Sequence, residues 1–129
     1  MRSQARECVL RYIYSKLFNP SDEGLFAVLC KELSNDDKEF ANQLLSSIEN
    51  NEQKYLDKIE QLVIGYKLDR IHAIDKCVLM LGMAELDNFM DTPIPVIIDQ
   101  AVTLVAKYST ENSTDFVNGI LAECAKERL

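Results

Sequence analysis

With 129 residues, 47% of them hydrophobic and only four Gly and three Pro, the chain is large enough for one cored domain and is neither disordered nor fibrous in composition. It contains no apolar run of roughly eighteen residues, which excludes a membrane-spanning helix. Its formal charge of −7 is unevenly spread: within residues 1–18 only Glu7 opposes Arg2, Arg6, Arg11 and Lys16, a local +3, and the remaining residues carry −10.

Apolar spacings of three and four run from end to end without period-two alternation, which predicts an all-α chain. A first helix reads from about Ser3, as cap, to Phe18. Asn19-Pro20-Ser21-Asp22 ends it and caps a second, with apolar Leu25, Phe26, Leu29 and Leu33. Ser34-Asn35-Asp36-Asp37 is a further stop and cap, and Phe40, Leu44, Leu45 and Ile48 mark a third helix. A break at Glu49–Glu52 leads to a fourth, carrying Tyr55, Ile59, Leu62 and Val63, with Gly65 as its natural stop. Ile71 to Phe89 is apolar on most sides, which places it at the centre of a bundle. Asp91-Thr92-Pro93-Ile94-Pro95 is a turn, Val96–Tyr108 a sixth helix and Ser109–Ser113 a polar loop. Phe116, Val117, Ile120, Leu121 and Cys124 mark a seventh helix. The domain organisation expected is one domain of two packed helical subdomains, about 1–65 and 66–129, divided near Gly65-Tyr66-Lys67.

The usual signatures of catalysis are missing. Cys8, Cys30, Cys77 and Cys124 form no CxxC pair, and His72 is the sole histidine, so neither a metal site nor a disulfide framework is expected. Reduced, mostly buried thiols fit a cytoplasmic protein, and the opening residues do not read as a signal peptide. No glycine-rich phosphate loop and no GxSxG occur, so the chain reads as a non-enzyme without a cofactor.

A basic arm on an acidic body points to one nucleic-acid contact region, with other surfaces left for other partners. At about 100° per residue, Arg2, Arg6 and Lys16 fall within roughly 80° of one another. They read either as cations tracking a phosphate backbone or as a solvated face. Arg6 also lies on the apolar stripe of Val9, Leu10, Ile13 and Leu17, and a buried guanidinium needs a partner. Glu85, on the stripe of the central helix four residues after Leu81, is the predicted one, as a structural ion pair. In the last helix, Gly119 predicts close helix packing and Asn118 a hydrogen bond to a loop carbonyl. The backbone N–H groups opening that helix suit a phosphate or a cap, with Asp115 complementing the dipole. Phe116 reads as core, or as a base-stacking ring if exposed.

Four segments carry a resemblance to a known family. Arg2-Ser-Gln-Ala-Arg-Glu-Cys-Val-Leu-Arg-Tyr-Ile-Tyr14, Ile74-Asp-Lys-Cys-Val-Leu-Met-Leu-Gly-Met-Ala-Glu-Leu86, Pro95-Val-Ile-Ile-Asp-Gln-Ala-Val-Thr-Leu-Val-Ala-Lys107 and Phe116-Val-Asn-Gly-Ile-Leu121 resemble, in order and spacing, the opening, central, following and closing helices of the NusB transcription antitermination family. The resemblance implies a seven-helix fold of two bundles. It also implies binding of boxA-type single-stranded RNA together with the ribosomal protein NusE, within an RNA polymerase antitermination complex on ribosomal RNA operons. Carried over by position, Arg2, Gln4 and Tyr14 fall in one RNA-contacting region, and Asn112, Ser113, Thr114 and Phe116 in a second. Asp75 falls where the family presents an acid to NusE, with Met80 one turn beyond. Three or four phosphate contacts would give a salt slope of about −2 to −3 on single-stranded RNA.

The same fold resembles the N-terminal domain of certain ribosomal RNA cytosine methyltransferases. Without a methyl-donor motif, this chain would then be only a targeting module. A protein-interaction module with weak or no RNA binding is a third reading, and a homodimer that covers the RNA surface is a further arrangement. The RNA readings all require the cations near position 2 and the donors near position 114 to converge.

Overall fold

The computed structural model of the chain describes residues 2–20, 24–63 and 71–128. Its helices are α1 (Arg2–Lys16), α2 (Leu25–Leu29), α3 (Asn35–Asn50), α4 (Glu52–Leu62), α5 (Ala73–Asn88), α6 (Ile94–Tyr108) and α7 (Glu111–Ala125), closed by a 3-10 turn at Lys126–Arg128. The all-α reading holds, with seven α-helices among the described residues. Gly65 and the division at Gly65–Lys67 lie outside them.

Helix ends follow local chemistry. Ser34 Oγ accepts the Asp37 N–H at 3.2 Å and caps α3, whose first turn carries Asp36 and Asp37 against the dipole. Pro95 sits in the first turn of α6, where no N–H is missed. Gly24, at φ +83°, takes the left-handed conformation that precedes α2. Other boundaries depart from expectation. α1 begins by Arg2, so Ser3 lies inside it, and it ends at Lys16, which leaves Leu17 exposed. α2 is a single short turn in which no residue is fully buried. α7 begins at Glu111, and only Ser109 and Thr110 separate it from α6.

α5 is the axis of the molecule. Every residue from Cys77 to Leu86 is buried, because α1, α3, α4, α6 and α7 all pack around it. A helix with so little polar surface has no other stable place. Ala5, Val9, Leu10 and Ile13 of α1 meet it from one side, with Phe40, Leu44 and Ile48 of α3. Ile97, Ala101 and Leu104 of α6, and Val117 and Leu121 of α7, close the other. At Gly82 a Cβ would come within 2.8 Å of Leu121 Cδ1, so the missing side chain is what lets α5 and α7 approach.

Candidate partner and RNA interface

α1 lies antiparallel to α5, and that fixes where the candidate residues fall. Arg6 and Glu85 form the expected pair. Arg6 Nε donates to Glu85 Oε1 at 2.7 Å and Nη2 to Oε2 at 2.5 Å, with Arg6 4% and Glu85 1% exposed. Arg6 Nη1 also donates to Gln100 Oε1 at 3.2 Å, tying α6 into the same contact. The Phe40 ring lies 5.4 Å from the Arg6 guanidinium. A guanidinium so enclosed and engaged does not reach a phosphate, so Arg6 leaves the expected RNA contacts.

The other N-terminal cations separate. Arg2 is exposed; its guanidinium lies 4.6 Å over Phe40, and Nη1 donates to Thr92 Oγ1 at 3.4 Å. Gln4 is exposed on the same turn. Lys16, at the far end of α1, donates Nζ to the Pro20 carbonyl at 2.8 Å. Tyr14, also at that far end, stacks edge-on with Phe18 at 5.1 Å.

The start of α7 meets the start of α5. Ser113 Oγ donates to Asp75 Oδ2 at 2.6 Å and lies 3.1 Å from both Ser109 Oγ and Thr110 Oγ1. Because the Ser113 proton goes to the carboxylate, the two neighbouring hydroxyls donate to Ser113. Asp75 is 4% exposed, yet its Oδ1 has no hydrogen-bond partner among the described residues. A cavity of about 400 Å³ opens there, lined by Ile71, His72, Asp75, Asn112, Ser113 and Phe116. His72 also lines a second hollow, of about 340 Å³, that reaches Tyr14 and Tyr108. Tyr14, Asp75, Asn112 and Phe116 therefore share one end of the molecule.

Arg2 does not share it. Its neighbour Phe89 and the acid Asp75 lie at opposite ends of α5, about 21 Å apart at 1.5 Å per residue. The expected convergence of positions 2 and 114 is thus corrected: one helix length separates the two groups, so the single patch on which the RNA readings rested is absent, and an RNA reading instead needs an extended strand that touches both.

Several expected contacts take other roles. Ser113 is buried against Asp75, and Thr114 Oγ1 donates back to the Glu111 carbonyl at 2.8 Å. Met80 is buried in the core rather than presented to a partner. Asn118 is exposed rather than tied to a loop, and a Cβ at Gly119 would meet nothing within 4 Å, so neither does the packing work foreseen. Glu111, not Asp115, is the acid in the first turn of α7. Phe116 is half-buried against the core, with one side facing the Asp75 cavity. The sequence reading weighed His72 only as a metal ligand and Thr110 only as part of a polar loop, and placed neither at this site, since an isolated residue beside a helix start carries no periodic signal.

The cysteines sit apart from this end or beneath it. Burial pushes the Cys77 thiol up to about 12 and those of Cys30 and Cys124 to about 11, far from nucleophilic readiness. All four are free thiols. Among the described residues, no group of three His, Cys, Asp or Glu side chains is placed to hold a metal ion, and no helix is long and apolar enough to cross a membrane.

Comparison with known proteins agrees with this architecture. The sequence model of the NusB family matches residues 3–126. The transcription antitermination protein NusB of Methylacidiphilum infernorum is 35% identical over 131 residues, covering 98% of this chain and 91% of that protein. The structure of T. maritima NusB superposes with a TM-score of 0.87 at 34% identity, over 98% of this chain and 92% of that one. A crystal structure of the antitermination factors NusB and NusE in complex with double-stranded RNA contains a chain that matches at a TM-score of 0.83 and 27% identity, over 98% of this chain and 96% of that one. With its helices in the same arrangement and its family match running almost from end to end, the chain belongs to the NusB family.

Proposed function

We propose that this chain is a cytoplasmic transcription antitermination adaptor that binds boxA-type RNA together with NusE, and that it catalyses no reaction. One observation carries the reading: Asp75 is buried, held from one side by Ser113, and its Oδ1, beside a cavity, has no hydrogen-bond partner among the described residues. An acceptor in that state is costly by about 1–3 kcal/mol. A partner that inserts a cationic or N–H donor recovers that cost on binding, so the site selects a protein partner with a projecting donor. Asn112, Phe116 and Tyr14 surround it and supply a hydrogen-bonding edge and rings for unstacked bases.

The separation of Arg2 from this end, and the burial of Arg6, favour a second reading in which partner binding dominates and the chain alone holds RNA weakly. A pull-down with NusE, followed by titration of a boxA-type RNA with and without NusE, separates them. Cooperative capture of RNA supports the adaptor. NusE binding with no gain in RNA affinity supports a protein-interaction module, and binding of neither leaves a targeting module of the methyltransferase type.

A further inference from the structure

The two ends of the chain meet at one corner. Arg2, at the start of α1, and Arg128, in the closing 3-10 turn, both reach the α5–α6 connection. Arg2 Nη1 donates to Thr92 Oγ1 at 3.4 Å, and Arg128 Nη1 donates to the Thr92 carbonyl at 2.9 Å. Arg128 also donates Nη2 to the Phe89 carbonyl, and its Nε–H lies 3.2 Å from Met90 Sδ. Neither arginine forms an ion pair among the described residues. Two like charges bonded to one residue, without a carboxylate between them, repel each other unless an anion settles there.

Part of this has a structural purpose. The Phe89 carbonyl, just past the end of α5, accepts the Thr92 N–H at 3.0 Å, and Arg128 adds a second donor to it, tying the closing turn to the α5–α6 connection. That accounts for Arg128 alone; it leaves Arg2 unexplained and both forks only partly used. A guanidinium has five N–H donors. Arg128 commits three of them and Arg2 one. Arg2 is further held in place by the Phe40 and Phe89 rings, at 4.6 and 5.8 Å, so its free edge is oriented rather than left to wander. Asp91, exposed in the same connection, bonds to neither guanidinium and lowers the local charge without closing the site.

We propose that Arg2 and Arg128 together form a phosphate-binding site for the RNA backbone at the α5–α6 corner. The site rests on the RNA-binding reading above. It lies about 21 Å from Asp75 along α5, and at 3.4 Å per stacked nucleotide a strand of roughly six nucleotides joins the two. The RNA would be positioned at one end through its backbone and read at the other through its bases.

The test is a fluorescence-anisotropy titration of a labelled single-stranded boxA-type oligonucleotide, and of an unrelated oligonucleotide of equal length, with NusE present, between about 50 and 200 mM salt. Each phosphate contact on a single strand contributes about 0.7 to the log–log salt slope. R2Q and R128Q are each expected to reduce the slope by about 0.7 on both oligonucleotides, so the affinity lost across that salt range shrinks by roughly 2.6-fold. R128K keeps the charge, is expected to retain the slope, and guards against misreading a variant that has only lost its bonds to the α5–α6 connection. Thermal melting of each variant confirms that it is folded. Slopes in R2Q and R128Q equal to that of the parent chain, with robust RNA binding by the parent, would overturn the site and leave the RNA reading intact. Failure of the parent chain to bind either oligonucleotide would overturn the RNA reading and the site with it.

Discussion

Arg6 on α1 and Glu85 on α5 meet in a two-pronged, charge-assisted pair, both almost fully buried, with contacts of 2.7 and 2.5 Å. The pair crosses from the first helix to the central one, and Gln100 extends it to α6. Its geometry is forked on both sides, which is the arrangement that best offsets the loss of hydration. It fixes the register of α1 along α5, and with it the positions of Arg2 at one end and Tyr14 at the other.

Breaking one side of that pair is expected to be severe. Glu85→Ala leaves an uncompensated guanidinium inside the core and is expected to cost about 3–5 kcal/mol, read from urea unfolding at constant m. Replacing both, with Arg6→Met and Glu85→Leu, removes the charges together and is expected to recover most of that loss, within about 1 kcal/mol of the parent. A double variant as unstable as E85A would show that the ion pair itself, not relief of a stranded charge, holds the helices.

The pair was legible in the sequence because a charge on an apolar stripe has few ways to exist. Arg6 and Glu85 each broke an otherwise hydrophobic face, so each demanded the other. The α5 core was legible for the same reason, from its lack of a polar side. The start of α7 was not. Ser109–Ser113 is polar throughout and reads as a loop, yet Ser113 is buried with its hydroxyl donating a hydrogen bond to Asp75, a contact between residues 38 positions apart. Local composition carries no trace of that. Met80 likewise has the same spacing whether it faces a partner or the core, and the split between Arg2 and the Asp75 end follows from helix direction, which periodicity does not encode.

Gly82 and Gly119 both sit within helices and are expected to respond to alanine in opposite senses. At Gly119 a Cβ meets nothing within 4 Å, so Gly119→Ala gains helix propensity and is expected to stabilise by up to about 1 kcal/mol. At Gly82 the added carbon meets Leu121 Cδ1 and Cδ2 at 2.8 and 2.9 Å, and Leu121 is fully buried with little room to turn. Overpacking of this kind typically costs about 1–3 kcal/mol, which outweighs the propensity gain. Melting of the two variants side by side checks the order; G82A more stable than G119A would mean that α7 yields freely at Leu121.

Asp75→Asn keeps an oxygen for Ser113 and removes the charge. The folded chain is expected to stay within about 1 kcal/mol of the parent, because the Asn amide NH2 takes the place of an oxygen that likewise has no partner among the described residues. Capture of NusE is expected to weaken by at least about 30-fold, since losing one member of a desolvated charge contact costs about 2 kcal/mol or more. Equal affinity for D75N and the parent, measured by calorimetry, would remove Asp75 from the interface.

A second, more exposed tie between α1 and α6 sets the pH behaviour. Lys107 Nζ donates to Glu7 Oε1 at 2.6 Å, and Tyr108 Oη donates to the same oxygen. The Lys107 bond first, and the Tyr108 bond second, hold the Glu7 carboxyl below its ordinary value of 4.5. A depressed carboxyl stabilises the fold fully above its unfolded value, and that contribution fades as the pH falls through the lower, folded value. Lys107, raised by the same carboxylate, loses its share only as the pH climbs past its own raised value, above 10.5. The tie is therefore complete across neutral pH and fails at both extremes. Glu7→Gln is expected to flatten the acid limb of a stability-against-pH curve without moving its neutral plateau by more than about 1 kcal/mol, as befits a solvent-screened pair. An acid limb as steep in E7Q as in the parent would assign it to other carboxylates and leave the α1–α6 contact to its apolar residues alone.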